Sequence, residues 1–437
     1  MFKKAYKHYV LLTLTAVYTL NFLDRSLIAL LLQPIKEDLH LSDTQLGFLT
    51  GIAFGLFYAT LGLPIARWAD RGNRATITSL AIGLWGVTVM SCVFVTNYIQ
   101  LVFARVAAAV GEAGCMPPTY SLIGDYFDRP AERTRAMAIY MLASPLSAVG
   151  FVAGGWLNAH YGWRATFFLM GIPGLLMAFV VKLTITDPRV TDTQIPGQKL
   201  PPMMKVLSIL WRQRSSRHLS MAIILLFTMG LGLGPWYAAF MMRSHGMGTG
   251  EVGLSLGLLF FIAGIAGMLL GGYVSAHWFA HNERAQMRLN AVTIAAGLPG
   301  FALFLLLPQR HHALIALGLL VVVFSFFFGP TFALMQRLVL DEMRATAMAV
   351  VMLLANLIGM GIGPQVVGIL SDLLMPGFGS DSLRYAMLIM SFVTLWAAYH
   401  FWLAGRTVRE DLSTAALRAQ LNASGLHAMA AAPAASK

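Results

Sequence analysis

Charged residues are scarce in this chain, and their scarcity argues against a soluble protein. Only 11% of the 437 residues are Asp, Glu, Lys or Arg, whereas a soluble domain carries about a quarter. Hydrophobic residues make up 57% of the chain, and the mean hydropathy is +0.69. A soluble helical repeat protein is therefore disfavoured, and a membrane protein with many spans is the class that fits.

Cysteines and catalytic motifs are also scarce. The chain has two cysteines, Cys92 and Cys115, and both lie inside apolar segments. They suit packing, and they indicate neither a disulfide framework nor a metal site. The sequence has no HExxH motif, Walker loop, GxSxG motif or dinucleotide fingerprint. We therefore expect no cofactor, no enzymatic activity and no transport driven directly by ATP hydrolysis.

What the chain does have is a series of twelve long apolar segments. Each is near the length of about 20 residues that crosses a bilayer. Their apolarity is continuous, which predicts helices, because the strands of a membrane barrel alternate over about ten residues. The predicted spans 1 to 12 cover residues 9–32, 45–66, 76–95, 98–121, 135–158, 165–185, 218–241, 252–276, 289–307, 313–336, 345–370 and 385–405. The predicted fold class is thus an all-α polytopic membrane protein.

The basic residues predict the orientation of these spans. With Met1 in the cytoplasm, 24 Lys and Arg fall on the cytoplasmic side and 5 on the other side. This bias is a strong positive-inside signal, and it places both termini in the cytoplasm. The net charge of +12 is then explained by loops, without a nucleic acid partner. The first apolar segment lacks a persuasive cleavage site, so we expect a retained helix. Compact loops favour a bacterial inner membrane.

Two halves of six spans repeat each other in sequence. The segments 133–142 and 344–353 share six of ten residues, and both lie at the start of the fifth span of their half. We predict an N-terminal six-helix bundle over residues 1–186, a cytoplasmic loop over 187–217, a C-terminal bundle over 218–405 and a cytoplasmic tail over 406–437. Parallel six-helix repeats around a midplane cavity are typical of secondary transporters.

A loop motif between spans 2 and 3 resembles the major facilitator superfamily. The superfamily pattern is G-x-x-x-D-R-x-G-R, and the chain has Ala66-Arg-Trp-Ala-Asp-Arg-Gly-Asn-Arg74. Asp70, Arg71 and Arg74 match the pattern, while Ala66 and Asn73 replace its glycines. The resemblance, which covers nearly the whole chain, implies a gating role for the three matching residues through pairing across the bundle interface. A basic loop that only sets topology is the alternative.

Span 4 carries a second motif, Arg105-Val-Ala-Ala-Ala-Val-Gly-Glu112-Ala, which resembles R-x-x-x-G-x-G-E-A. Together with the Asp24-Arg25 pair of span 1 and Asn73, it resembles the spinster-like transporters, a group that includes carriers of lysophospholipids and sphingosine-1-phosphate. The anion:cation symporters of organic acids share the Asp-Arg pair and the Arg and Glu of span 4. Both groups remain open here, and the loop motif favours the spinster-like group.

Four charged residues lie deep inside the predicted spans, and all four are in the first half: Asp24, Arg25, Arg105 and Glu112. A charge in the bilayer core costs about 2.5–3.5 kcal/mol, so such residues are usually functional. Burial raises the pKa of a carboxyl and a nearby guanidinium lowers it. Asp24 and Glu112 are therefore candidates for proton coupling. Arg25 and Arg105 keep their protons and suit an anionic head group. Static salt bridges are the alternative.

The substrate site is predicted around these charges. Tyr18, Asn21 and Tyr120 lie within one or two helical turns of them and are candidate substrate-binding residues. The spans of the second half carry no Asp, Glu, Lys or Arg and offer aromatic side chains. We therefore expect a monomer that couples protons to an anionic or zwitterionic amphiphile. A symporter of small organic acids, a drug-efflux carrier and a non-transporting membrane protein of the same fold are the alternatives.

Overall fold

Helices make up all the regular secondary structure in the part of the chain that the structure describes. The structure is a computed structural model that describes residues 4–188, 203–279, 282–339 and 343–423. We call the residues up to 188 the first half and those from 203 onward the second half. The all-helical prediction is confirmed.

The helices of the first half correspond to predicted spans 1 to 6. They are α1 (Lys4–Leu39), α2 (Asp43–Thr50), α3 (Ile52–Arg71), α4 (Arg74–Ser91), α5 (Tyr98–Ala113), α6 (Met116–Tyr126), α7 (Pro130–Met141), α8 (Ala143–Leu146) and α9 (Val149–Thr184). A 3-10 turn over Cys92–Phe94 follows α4.

The helices of the second half correspond to spans 7 to 12 and include one helix before them. They are α10 (Met203–Arg212), α11 (Arg214–Leu233), α12 (Trp236–His245), α13 (Thr249–Trp278), α14 (Glu283–Ala295), α15 (Gly297–Leu306), α16 (Arg310–Phe326), α17 (Phe328–Arg337), α18 (Arg344–Phe378), α19 (Ser382–Ser391) and α20 (Val393–Ala423).

Ten helical stretches among the described residues are long and apolar enough to cross a membrane. Two of them, Ala131–Thr184 with 54 residues and Thr346–Ala415 with 70 residues, have room for two spans each, because about 20 residues suffice for one. Gly162 interrupts the first stretch at φ +77° and Gly379 the second at φ +53°. Glycine adopts this left-handed backbone without steric cost, so the chain can turn there. The twelve predicted spans are thereby accounted for.

Span 4 is broken one residue after the helical turn that carries Glu112. Helix α5 ends at Ala113 and α6 begins at Met116. Pro118 lacks the N–H that would bond the carbonyl of Gly114, so the helical ladder is interrupted there. The break places Glu112 in the last turn of α5, beside a locally irregular backbone in the middle of the span.

Helices extend into the predicted loop between the halves and into the predicted C-terminal tail. Helix α10 lies inside the predicted loop 187–217 and is amphipathic, with Val206 and Leu210 buried and Met204 and Trp211 exposed. Helix α20 continues to Ala423, so the predicted boundary between residues 405 and 406 falls inside a helix. The segments 189–202 and 424–437 lie outside the described residues.

The two halves meet closely at the end of the bundle where α1 ends and α2 begins, which we call the Asp43 end. A Cβ atom on Gly47 would lie 2.6 Å from the carbonyl oxygen of Pro364, and one on Gly51 would lie 2.6 Å from that of Gly361. Between described residues, all the hydrogen bonds that join the halves are at this end. The structure is therefore closed at the Asp43 end.

Candidate functional site

Two ion pairs join α1 to α5 in the interior of the first half. Arg105 Nη1 lies 2.5 Å from Asp24 Oδ2, and Arg25 Nε donates to Glu112 Oε2 at 3.1 Å. Both carboxylates are fully buried, whereas the side chain of Arg25 is 21% exposed. Asp24 and Arg25 point about 100° apart on their helix, so each can reach a different partner on α5. The four residues were predicted, and salt bridges among them were the alternative to proton coupling, without assigned partners.

The same cluster contains buried polar atoms without a partner among the described residues. They are Asn21 Oδ1, Asp24 Oδ1, Arg25 Nη2, Arg105 Nε and Glu112 Oε1. An unsatisfied buried polar group costs about 1–3 kcal/mol, and folded proteins leave few of them. Each acid therefore retains one free carboxylate oxygen that can take a proton. Each arginine retains one nitrogen that can donate to an anion.

Aromatic rings surround the guanidinium of Arg25. Its Cζ lies 5.0 Å from the ring centre of Phe22, 5.2 Å from that of Phe54 and 4.8 Å from that of Tyr58. Arg105 lies 4.8 Å from Phe54. We call Phe22, Phe54 and Tyr58 the aromatic cage. Sequence reasoning missed all three, although the spacing of Phe54 and Tyr58 by one helical turn in span 2 places both on one face.

The aromatic cage reaches the second half. Phe54 packs in a small buried cluster with Ala109 and Met360, and Tyr58 and Leu231 pack against that cluster. Met360 belongs to α18 and Leu231 to α11. The two ion pairs therefore lie one layer of side chains from the boundary between the halves. A movement of one half relative to the other would change the packing around them.

The three predicted polar contacts all lie beside the ion pairs or one ring away. Asn21 Nδ2 donates to the carbonyl oxygen of Glu112 at 3.5 Å. Tyr18 stacks on Tyr140 with ring centres 4.5 Å apart, and Tyr120 meets the same ring edge-on at 5.5 Å. Tyr140 was not predicted as a site residue. Tyr140 lies in the segment 133–142, whose repetition in the second half gave no indication of a site. A substrate-binding role for these residues stays a prediction.

The second half contributes an apolar cavity of about 260 Å³ between spans 7, 8, 9 and 10. Its lining includes Met229, Tyr237, Phe260, Phe301, Phe324 and Phe328. All five of its aromatic residues lie in the spans of the second half, whose aromatic side chains were noted from the sequence. A cavity with this lining favours hydrocarbon over a charged ligand.

Arg74 of the loop motif is anchored within the first half. Its side chain is fully buried, and it is held by Asp187 and by Asp125, whose Oδ2 is 2.7 Å from Arg74 Nη1. Both acids belong to the first half, so these contacts differ from the pairing across the bundle interface that we expected. The reason is that Asp187 follows span 6, which packs beside α4 in the same half.

The remaining residues of the loop motif lie at the end of α3 and the start of α4. Arg71 is exposed at the end of α3, and the side chain of Asp70 lies outside the described part of the structure. Asn73 replaces a glycine of the pattern and acts as the N-cap of α4, since its Oδ1 accepts a hydrogen bond from Thr76 N at 2.9 Å. The gating role of Asp70, Arg71 and Arg74 stays a prediction.

A second charged cluster joins the halves at the Asp43 end, and sequence reasoning missed it. Arg243 donates to both carboxylate oxygens of Asp43 at 2.7 Å. Lys36 Nζ and Ser371 Oγ donate to the same carboxylate at 2.6 Å each. Asp372 accepts the backbone N–H of Asp43 at 3.0 Å, and thus caps the start of α2 from the other half. We call these five residues the Asp43 latch.

The family model of the Major Facilitator Superfamily matches residues 14–364. The chain belongs to this superfamily. The predicted superfamily is thereby confirmed, and its members among the relatives below are transporters rather than enzymes. The chain is therefore a polytopic membrane transporter.

The most similar relatives include a bacterial pump and animal spinster proteins. An MFS-type efflux pump of Mycolicibacterium smegmatis is 32% identical, with 91% of this chain and 92% of the pump aligned. Protein spinster homolog 1 of Xenopus tropicalis is 25% identical over 95% of this chain and 84% of that protein. The crystal structure of a bacterial homologue of the human lysosomal transporter spinster, inward-facing and unoccupied, has 29% identity and a TM-score of 0.84, covering 94% and 99% of the two chains. These relatives confirm the predicted spinster-like group.

Two further relatives have different substrates in their names. A probable L-galactonate transporter of Escherichia coli is 26% identical over 86% of this chain and 84% of that protein. The sphingosine-1-phosphate transporter SPNS2 of Danio rerio is 23% identical over 91% of this chain and 84% of that protein. One name describes a small acid and the other an amphiphile.

Proposed function

We propose that this chain is a proton-coupled secondary transporter of an anionic or zwitterionic amphiphile that works by alternating access. The observation that carries the proposal is the pair of buried Asp–Arg and Glu–Arg contacts that lie one layer of side chains from the boundary between the halves. Each acid keeps a free oxygen there and each arginine a free nitrogen. The site can thus take a proton and an anion a few atoms apart.

Proton and anion binding are linked through the pair of Arg25 and Glu112. If an anionic head group takes Arg25, the carboxylate of Glu112 loses its counter-ion while fully buried. An unpaired buried charge is costly, so Glu112 then favours the protonated form. Binding of the anion and binding of the proton therefore support each other. Asp24, which directly precedes Arg25 in α1, pairs with Arg105 in the same way.

The distribution of charge supports an amphiphilic substrate. The described spans of the first half supply two arginines at the site, and the second half supplies an apolar cavity of about 260 Å³. A head group would lie against Arg25 and Arg105, with Tyr18, Asn21 and Tyr120 beside it. A hydrocarbon tail would extend toward Tyr237 and Phe324. The similarity to a sphingosine-1-phosphate transporter supports the same substrate class.

The closed Asp43 end supports alternating access. With Met1 in the cytoplasm, the closed Asp43 end faces away from the cytoplasm, which is the side that an inward-facing form closes. The bacterial spinster homologue with the TM-score of 0.84 is inward-facing. We place the protein in a bacterial inner membrane as a monomer, with the Asp70, Arg71 and Arg74 loop acting as the gate on the cytoplasmic side.

The test uses proteoliposomes that contain a pH-sensitive dye. We expect lysolipids and sphingoid phosphates to evoke a proton flux in the wild type. Glu112→Gln and Asp24→Asn should abolish the flux but retain exchange of labelled for unlabelled substrate, which needs no net proton movement. Glu410→Gln is the matched control, because Glu410 is exposed on α20. The coupling proposal fails if both site variants still drive proton flux.

Small acids form the second candidate class, which the L-galactonate transporter relative favours. A six-carbon sugar acid would bind the same two arginines through its carboxylate and leave the apolar cavity unused. A proton flux evoked by L-galactonate and not by lysolipids would select this class. Extrusion of cationic dyes would instead select efflux, the activity named for the M. smegmatis relative.

A further inference from the structure

A groove of about 430 Å³ lies between the start of α1 and the start of α7, away from the two ion pairs. The wall from α1 consists of Lys4, Lys7, His8 and Leu11. The wall from α7 consists of Glu132, Arg135, Ala136 and Ile139. Both sets follow the i, i+3, i+4, i+7 spacing that places side chains on one helix face. The groove is therefore built by two helix faces that look toward each other.

The groove has an excess of positive charge. Four cations and two acids line it, and two ion pairs neutralise part of the charge: Lys7 with Asp128 at 3.5 Å and Arg129 with Glu132 at 3.6 Å. Lys4 and Arg135 are exposed and have no acidic partner among the described residues. Two cations on opposite walls thus remain available to an anion.

The ionisation of Asp128 keeps Lys7 paired and leaves Lys4 and Arg135 as the unpaired cations of the groove among the described residues. A hydrogen bond from its own backbone amide, together with the charge of Lys7, lowers the pKa of Asp128. The carboxylate is therefore ionised at neutral pH and keeps Lys7 engaged. An incoming anion would meet Lys4 and Arg135 first.

The groove also crosses the predicted edge of the membrane. Span 1 is predicted to begin at residue 9 and span 5 at residue 135. Lys4 therefore lies on the aqueous side and Arg135 at the boundary itself, while Leu11 and Ile139 lie on the hydrocarbon side. A ligand that fills the groove must be anionic at one end and apolar at the other.

We propose that this groove binds an anionic phospholipid of the surrounding leaflet, with its phosphate between Lys4 and Arg135 and its first acyl carbons against Leu11 and Ile139. Basic pockets between spans on the cytoplasmic side are suited to such head groups because the leaflet there is rich in anionic lipid. The proposal depends on the placement of the helices in the membrane. It does not depend on what the central site transports.

The test is native mass spectrometry of the full chain in mild detergent, titrated with phosphatidylglycerol, phosphatidylcholine or soluble glycerol 3-phosphate. We expect retained adducts with phosphatidylglycerol only. Lys4→Gln/Arg135→Gln should weaken this binding about 30-fold, since each cation near an anionic lipid is worth about 1 kcal/mol. The matched control is Arg284→Gln/Arg406→Gln, which removes two exposed cations from the predicted cytoplasmic face of the second half.

Three results would overturn the proposal. Equal retention of phosphatidylcholine would show that charge is not recognised. Equal loss of phosphatidylglycerol in both double variants would show a general surface attraction. Retention of glycerol 3-phosphate would show a site for a soluble phosphate instead of a lipid. Thermal unfolding of each variant without lipid checks that the fold is intact, and transport is not the readout.

Discussion

Arg243 of the second half donates a hydrogen bond to each carboxylate oxygen of Asp43 in the first half, both at 2.7 Å, although the two residues are 200 positions apart in the chain. The carboxylate of Asp43 is fully buried and the arginine side chain is 9% exposed. Among the described residues, this is the ion pair that directly joins the two halves. It therefore bears on the equilibrium between the closed and open forms of the Asp43 end.

Arg243→Ala should open the Asp43 end. Removing one partner of a buried pair costs about 3–5 kcal/mol, and Lys36 and Ser371 still hold Asp43, so we expect a shift on the order of 2 kcal/mol. Maleimide labelling of Thr249→Cys at this end, in a background of Cys92→Ala and Cys115→Ala, should then become faster.

Arg310→Ala is the matched control for the latch. Arg310 pairs with Glu251 at the same end, but both side chains are more than 40% exposed, and an exposed pair contributes about 0–1 kcal/mol. Labelling should hardly change in this variant. Equal labelling of wild type and Arg243→Ala would contradict a role of the latch in closure.

Tyr58→Leu should raise KM for an anionic substrate. The ring of Tyr58 lies 4.8 Å from the guanidinium carbon of Arg25 and holds its orientation. A cation–π contact is worth about 0.5–2 kcal/mol, which corresponds to an increase in KM of roughly 2- to 30-fold. Tyr58→Phe keeps the ring, loses the hydroxyl bond to Met116 Sδ at 3.2 Å, and should stay near wild type. The measurement is transport kinetics, and Phe57→Leu, at an exposed neighbouring position, is the control. An equal rise in KM in Tyr58→Phe and Tyr58→Leu would contradict a role of the Tyr58 ring in holding Arg25.

Gly47→Ala should disfavour the closed form. A Cβ atom there would lie 2.6 Å from the backbone oxygen of Pro364 and 2.9 Å from Gln365 Cα, and overpacking of this kind costs about 1–3 kcal/mol. Gly62→Ala is the matched control in the same span, because no atom lies within 4 Å of its Cβ position. Faster labelling of Thr249→Cys in the first variant and not in the second is the expected result. A similar response of both variants would mean that helix propensity, and not contact between the halves, sets the outcome.

Acid should destabilise the protein partly through His245, which lies beyond the candidate spans. Burial, followed by the charge of Arg384, lowers the pKa of His245. The unfolded chain therefore binds the proton more readily, and stability falls as the pH drops below about 6.5, the ordinary value for histidine. Between pH 7.5 and pH 5.5, the fall in Tm should be smaller in His245→Gln than in wild type. His160 is exposed, so His160→Gln should show the same fall in Tm as wild type. The same fall in His245→Gln as in wild type would contradict the contribution of His245 to acid destabilisation.

Much of the fold was predictable because hydropathy is a local property. A run of apolar residues predicts a span whatever the span packs against. The segments around Asp24 and Glu112 could therefore be placed in the membrane from sequence alone. A charged residue inside such a run is equally visible. That is why the four charged residues of the site were identified before their contacts were known.

The contacts themselves were not predictable, since they join residues that are far apart in the chain. Nothing local to Asp24 says that Arg105 and not Arg25 is its partner. Lys36 and Arg243 counted only as loop charges, and their convergence on Asp43 required the packing of spans 1, 2, 7 and 11. Arg74 matched a motif whose expected partner lay across the interface, whereas its observed partners belong to its own half.

The confinement of the two central ion pairs to the first half has an evolutionary consequence. A lineage that carries this architecture can alter the cavity of the second half by mutating helices that take no part in these two pairs. Changes in the rings around Tyr237 and Phe324 would reshape the apolar cavity and leave the two ion pairs unchanged. Paralogues of this chain should then differ in the lining of that cavity far more readily than in the four charged residues of the first half.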